Sequence, residues 1–248
     1  MDAAGCVYVK FFRDVIAWFA DAEHWAGADG VPHRLWEHLQ LSAVAVLIAM
    51  LVALPIALTL GHIGRGGFLA VNTANIGRAV PSFAILVLAQ QFTHDIGTKP
   101  AMIALVALAI PPILTNTYVG VRAVDADVRE SARGMGMTGS QLLTRVETPL
   151  AMPVIMAGIR TAAVQVIATA TLAALIAGGG LGRYIIDGIA QQDNVKLFAG
   201  ALLVALFAAV TELSLGRVQR VVTPGGKTAG RPVVAEVGPA GGVAALPR

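Results

Sequence analysis

Of 248 residues, 56% are hydrophobic and only 13% charged, and the mean hydropathy is +0.72. Such a composition excludes an ordinary soluble domain and reads as an integral, all-α membrane protein. The formal charge of +3 and pI near 9.4 do not indicate a nucleic-acid partner, because the basic residues sit at the ends of apolar runs instead of along one polar face.

Cys6 is the single cysteine, which excludes an internal disulfide and a Cys-cluster metal site. Residues 1–5 hold no apolar stretch, so no cleavable signal is expected ahead of the first span. From Tyr8 to Ala22, the residues Tyr8, Phe11, Phe12, Val15, Trp18, Phe19 and Ala22 recur at three- and four-residue spacing, while Lys10, Arg13, Asp14 and Asp21 fall elsewhere. That spacing predicts an amphipathic helix. It falls short of the ~20 apolar residues a span requires, so it is expected to lie in the interface, with a sixth span as the alternative. Trp18, Trp25 and Trp36 are expected interfacial anchors.

The first clear span is Leu41 to Leu60, with Pro55 as a kink, followed by a turn over 61–67 that carries Arg65. The second runs from about Leu69 to Ala89. There Asn72, Asn75, Arg78 and Ser82 recur three or four apart and share one helical face. An arginine deep in a span costs roughly 2.5 to 3.5 kcal/mol on insertion scales, so this face points into the bundle or a wet cavity; a helix that begins later and lets Arg78 snorkel to the surface is equally compatible.

Residues 90–100 form a loop with His94, Asp95 and Lys99. The third span is Met102 to about Tyr118, where Pro111-Pro112 is expected to break the hydrogen-bond ladder and Asn116 to help satisfy the freed carbonyls. The fourth is Val154 to about Ile176, with Gln165, Thr169 and Thr171 as internal polar groups, and the fifth is Leu197 to Leu215. Between them, Gly178 to Gly182 predicts a tight turn, and Tyr184 to Lys196 a polar connection. The stretch after Thr223 is expected to be largely disordered.

A polar island separates the third and fourth spans. Val124, Val128, Ala132 and Met135 form an apolar stripe, Asp125 and Asp127 suit a helix N-terminus, and Asp125 can pair with Arg129. Gly134 and Gly136 then weaken the helix. Thr138 with Gln141 three later is a capping-box signature, so a second short helix bearing Leu142, Leu143 and Val146 is predicted to run to a stop at Pro149.

Five spans place Arg65, Arg122, Arg129, Arg133, Arg145, Arg217, Arg220, Lys227 and Arg231 on one side, against Lys99, Arg183 and Lys196 in the short connections opposite. Lys10, Arg13 and Arg34 soften this bias without reversing it. The excess predicts that the island and C-terminus are cytoplasmic and the N-terminus outside.

Gly226-Lys227-Thr228 imitates the end of a phosphate-binding loop, but Val221 stands where its first Gly belongs. Gly178 to Gly182 follows a span, not a strand, and is no dinucleotide fingerprint. The five histidines, His24, His33, His38, His62 and His94, all fall outside the predicted spans. With no triad, paired carboxylates or metal spacing, neither catalysis nor a metal site is expected.

Glu130 to Pro149, ESARGMGMTGSQLLTRVETP, resembles the cytoplasmic loop of binding-protein-dependent ABC importer permeases: Glu-Ala-Ala, three residues, Gly, nine residues, then Ile-x-Leu-Pro. Glu130, Ala132, Gly136 and Pro149 fall on that spacing, while Ser131, Val146 and Thr148 depart from it. Asn75 to Leu88 (NIGRAVPSFAILVL), Ala109 to Gly120 (AIPPILTNTYVG), Val146 to Val154 and Ile176 to Ile185 are similar to stretches of the permeases for glycine betaine, choline and related osmoprotectants. The likeness covers about Leu41 to Leu215.

Hydropathy and charge divide the chain into an extracytoplasmic or interfacial segment over 1–40 that carries the amphipathic helix, a transmembrane domain over 41–216 and a cytoplasmic, largely disordered tail over 217–248. The resemblance makes the middle part a permease domain with 122–150 as its coupling loop; the first forty residues and the tail match the family at no firm point. The resemblance also implies uptake of a quaternary amine: glycine betaine, choline, carnitine or proline betaine. Glu130, Ser131, Ala132, Gly136 and Pro149 would then couple to a separate ATPase that binds the ATP and Mg, with no cofactor on this chain. The other implied partners are an extracytoplasmic substrate-binding protein and a second permease subunit, a copy or a paralogue. A trimethylammonium head is best held by several aromatic faces. The spans offer isolated ones such as Phe83, Tyr118 and Phe207. High affinity is therefore assigned to the binding protein, and a low-affinity path to Asn72, Asn75, Arg78, Ser82, Asn116, Gln165 and Thr169, each of which could equally be interhelical glue. The alternatives are a permease for another small zwitterion such as an amino acid, or an ion-gradient carrier, for which the spans hold no acidic residue except Glu212.

Overall fold

A computed structural model describes residues 3–68, 72 and 81–223, with side chains from residue 8 onward. Among these residues the helices are α1 (Ala3–Ala20), α2 (Val31–Ile63), α3 (Ser82–Thr93), α4 (Thr98–Arg122), α5 (Ala126–Gly134), α6 (Gly139–Leu142), α7 (Thr148–Ala170), α8 (Gly182–Gln191) and α9 (Asn194–Val222). A π-turn over Leu143–Glu147 joins α6 to α7, and a 3₁₀ turn over Thr171–Ile176 extends α7. Four stretches are long and apolar enough to cross a membrane: Val31–Ile63, Thr98–Arg122, Gly139–Ile176 and Asn194–Val222, with Ser82–Thr93 as a shorter apolar helix.

The centre of the bundle is α4, packed between α2 and α7. Ala45, Ala49, Ala53 and Ala57 are all fully buried on α2. Spaced four apart, they make a smooth stripe on which another backbone can approach closely, the usual basis of helix association where lipid removes the hydrophobic drive. Glycines make the remaining close contacts. A Cβ on Gly61 would lie 2.8 Å from Val121 Cβ, and one on Gly158 would lie 2.6 Å from Asn116 Cβ. The opposite face of α2, including Leu47, Leu51 and Ile56, is exposed.

The first span is longer than its apolar core. Helix α2 begins at Val31 behind Gly30, with proline in its first turn, and ends at Gly64 with φ +74°. Its polar start is stabilised by its own contacts: Arg34 Nη1 donates to Glu37 Oε2 at 2.8 Å, and the Gly180 amide donates to the same oxygen at 2.8 Å. His33, His38 and His62 therefore lie inside the α2 helix, contrary to the expectation for the histidines. His38 is buried, donates Nε2–H to Ile167 O at 3.0 Å and meets Phe207 edge-on.

Pro111 and Pro112 do not break α4. Their missing donors leave the carbonyls four residues earlier free, but α2 and α7 hold the helix axis on both sides. Asn116 Nδ2 donates to Pro112 O at 2.8 Å, not to a freed carbonyl. The loop expected over 90–100 narrows to 94–97, because α3 runs on to Thr93 and His94 caps it at φ 48°.

The predicted amphipathic helix is present as α1, ending at Ala20, and it packs along the start of α9 through Phe11 and Phe198, whose ring centroids are 5.4 Å apart. Trp18 is no interfacial anchor. It is buried, stacked on His24 at 4.1 Å and edge-on to Tyr184 at 5.5 Å. Trp25 and Trp36 are exposed. The polar connection over 184–196 is mostly helix α8, which folds back on α9 where a Cβ on Gly188 would meet Leu197 N at 2.6 Å. The glycine turn before it is packed as tightly: a Cβ on Gly182 would lie 2.3 Å from Thr171 O. Tyr184 Oη donates to Asp29 O at 2.5 Å, and burial pushes its phenol up to about 12.

Candidate functional site

The island is a helix, an elbow and a second helix, each set by local chemistry. Asp125 Oδ1 accepts from the Asp127 amide at 2.9 Å and caps α5. At the other end Gly136 adopts φ +83°, a region open to glycine without steric cost, and the Met137 amide donates back to Ala132 O at 3.2 Å. The predicted capping box is formed: the Gln141 amide donates to Thr138 Oγ1 at 3.4 Å, and the Thr138 amide donates to Gln141 Oε1 at 2.9 Å.

Of the residues assigned to coupling, Ala132 is 3% exposed and turns α5 onto the core, whereas Glu130, Ser131 and Gly136 are exposed on the outer face. Nothing approaches within 4 Å of a Cβ built on Gly136. A pair of short, capped helices thus stands out from one end of the bundle with a carboxylate and a hydroxyl on its free surface.

Pro149 is not a stop. It lies in the first turn of α7, and the helical path is continuous from Gly139 to Ile176. The physical reason is the π-turn: the Thr148 amide reaches back five residues to Leu143 O, and the wider turn accommodates the residue that has no N–H to give. The Asp125–Arg129 ion pair is also absent as drawn from sequence. Asp125 caps the helix backbone, and Arg129 Nη1 instead faces Glu147 Oε1 at 4.0 Å.

Glu147 and His62 were missed by sequence reasoning. The Glu147 side chain is fully buried, and His62 Nδ1 donates to its Oε2 at 2.6 Å, which ties the end of α2 to the start of α7 beneath the island. The 3.6-residue period places Val146, not Glu147, on the buried face after Leu142. The extra residue of the π-turn rotates the following positions and brings Glu147 inward.

The pathway candidates are dispersed. Ser82 and Thr169 come together at one small cavity of about 10 Å³ between α3, α4 and the end of α7, too small for a trimethylammonium group. Asn116 is bonded within its own helix, Asn72 Nδ2 donates to Phe68 O at 2.9 Å, and Gln165 is half-buried on α7. Asn75 and Arg78 lie outside the described residues, as does most of the predicted second span. At the end of the bundle opposite the island a larger open cleft of about 440 Å³ is lined by Glu37, Gln40, Thr98 and the backbone of Gly178 and Gly179.

Comparison with known proteins agrees with this geometry. Residues 45–225 match the family model described as "Binding-protein-dependent transport system inner membrane component". The chain is 43% identical over 191 residues to a carnitine transport permease protein, OpuCB, of Listeria monocytogenes, covering 77% of this chain and 87% of that one. It is 39% identical to the choline transport system permease protein OpuBB of Bacillus subtilis (78% and 89% covered), and 38% identical to the osmoprotectant import permease protein OsmW of Salmonella typhimurium (77% and 91%). Among solved structures, the inward-facing MetNI methionine ABC transporter superposes with a TM-score of 0.67 at 22% identity, over 78% of this chain and 96% of that one. An amino acid ABC transporter gives 0.56 at 23% identity, over 89% and 98%. These structures share the fold. With the match running through the island and the spans on either side of it, the chain belongs to the family of binding-protein-dependent transport system inner membrane components.

Proposed function

We propose that this chain is the membrane permease of an ATP-driven importer for a quaternary-amine osmoprotectant such as glycine betaine, choline, carnitine or proline betaine. The observation that carries this reading is the doubly capped helix pair, exposed at one end of a transmembrane bundle whose relatives are carnitine, choline and osmoprotectant permeases.

In this reading ATP and Mg are bound by a separate ATPase that receives α5 and α6, with Glu130 and Ser131 on the contacting surface and Gly136 fixing the elbow. The island end is cytoplasmic, as its arginines favour. The cleft lined by Glu37 and Gln40 then opens outward, toward an extracytoplasmic binding protein that supplies the aromatic cage for the trimethylammonium head. A second permease subunit completes the pathway, since the cavity at Ser82 and Thr169 is too small within one copy.

The test is uptake by proteoliposomes holding the chain with its partner permease and ATPase. Accumulation of labelled glycine betaine or choline that requires both internal ATP and external binding protein is the expected result. Uptake driven by an ion gradient without either, or transport confined to an amino acid, would overturn the reading.

A further inference from the structure

Beneath the exposed helix pair is a buried polar junction between three separate elements. Glu147, in the π-turn before α7, holds a carboxylate that is 0% exposed. One oxygen, Oε2, accepts from His62 Nδ1 at 2.6 Å, and His62 is in the last turn of α2. The other oxygen, Oε1, is buried with no hydrogen-bond partner among the described residues. Its nearest cation is Arg129 on α5, whose Nη1 stands 4.0 Å away with the side chain 15% exposed. The same histidine also abuts the second helix, since a Cβ on Gly139 would meet His62 Nε2 at 3.4 Å.

An unsatisfied oxygen on a buried carboxylate is costly, and native structures rarely keep one without a purpose. Here the missing partner is in place and about one ångström outside hydrogen-bond distance of ~2.9 Å. A movement of α5 by that amount relative to α2 and α7 would complete the bond, and the reverse movement would restore the gap.

We propose that Glu147 is the positioning residue that transmits movement of the helix pair to the spans: fixed to α2 by His62, it engages Arg129 in one stage of the transport cycle and releases it in another. This rests on the reading of α5 and α6 as the ATPase-contacting pair. The carboxylate makes the junction directional, because it pulls α5 toward α2 and α7 together and so links an external push to both spans. A purely apolar seam would give packing without a discrete second arrangement.

The experiment uses the assembled importer in proteoliposomes and measures substrate transported per ATP hydrolysed. Glu147→Gln keeps the shape and removes the charge. It is expected to lower that ratio at least threefold while ATP hydrolysis persists, and Arg129→Gln should do the same. The double variant should be no worse than either single one, because both remove the same bond. Arg129→Lys, which keeps a cation in reach, should recover most of the ratio. If Glu147→Gln fails to assemble, Arg129→Gln and Arg129→Lys still decide the matter, since Arg129 is at the edge of the junction. A constant ratio in assembled Arg129→Gln, or losses in the two single variants that simply multiply in the double, would overturn the proposal. Failure of the unaltered complex to couple uptake to ATP would instead overturn the underlying reading.

Discussion

The elbow between α5 and α6 offers a paired test, because Gly134 and Gly136 are two residues apart and differ in one property. A Cβ on either meets nothing within 4 Å, so neither substitution changes packing. Gly136 has φ +83°, whereas Gly134 is not among the positive-φ residues and ends helix α5. Gly136→Ala should therefore carry the bare left-handed penalty, roughly 1 to 2 kcal/mol. Gly134→Ala should be neutral or stabilising by about 0.5 kcal/mol, since it removes backbone freedom from the unfolded helix end. The reporter is the Met137 amide, bonded to Ala132 O across the elbow. Hydrogen exchange at that amide in the assembled complex should accelerate roughly 5- to 30-fold in Gly136→Ala. It should be unchanged or slower in Gly134→Ala. Equal behaviour of the two variants, or no change at Met137 in Gly136→Ala, would refute the argument that backbone conformation alone requires glycine there.

Glu130→Lys reverses an exposed charge without touching the core, so membrane insertion and assembly should be normal while ATP-dependent uptake falls; uptake at the unaltered rate would remove Glu130 from the contacting surface. Gly182→Ala forces a methyl to 2.3 Å from a backbone oxygen that cannot rotate away. It should cost about 1 to 3 kcal/mol or more, seen as a lowered thermal midpoint of the reconstituted complex. Tyr184→Phe removes the bond to Asp29 O and should cost about 1 kcal/mol. Because burial raises the phenol to about 12, its protonated form is the one the fold favours; the contribution is complete below the ordinary tyrosine range and is lost only as pH rises toward 12. The Tyr184→Phe penalty should thus be the same in thermal unfolding at pH 7 and pH 9, and a penalty that shrinks over that interval would contradict the raised value.

Much of this molecule was legible because its informative signals are local. Apolar runs gave the long helices, Thr138 with Gln141 gave the capping box, and Gly136 gave the elbow, since capping and left-handed turns depend on residues within a few positions of each other. The pattern from Glu130 to Pro149 also carried the family. Where the reading failed, a distant partner had changed the outcome. Polar residues from Arg34 to His38 looked like the outside of a span, yet the Gly180 amide donates to Glu37, Ile167 O accepts from His38, and α2 is continuous through both. Pro111-Pro112 looked like a break, but packing on both sides keeps α4 intact.

The sequence by itself determined the membrane class, the helical segments and the chemistry of the island, because hydropathy and capping are written within single segments. Only the tertiary structure decided how the island is fastened. A π-turn shifts the helical register by one residue, and that shift turns Glu147 from the surface to the interior, against a histidine 85 positions away and an arginine on the neighbouring helix. No periodicity within one segment encodes a register shift and two remote partners together, which is why this junction appears only when α2, α5 and α7 are packed.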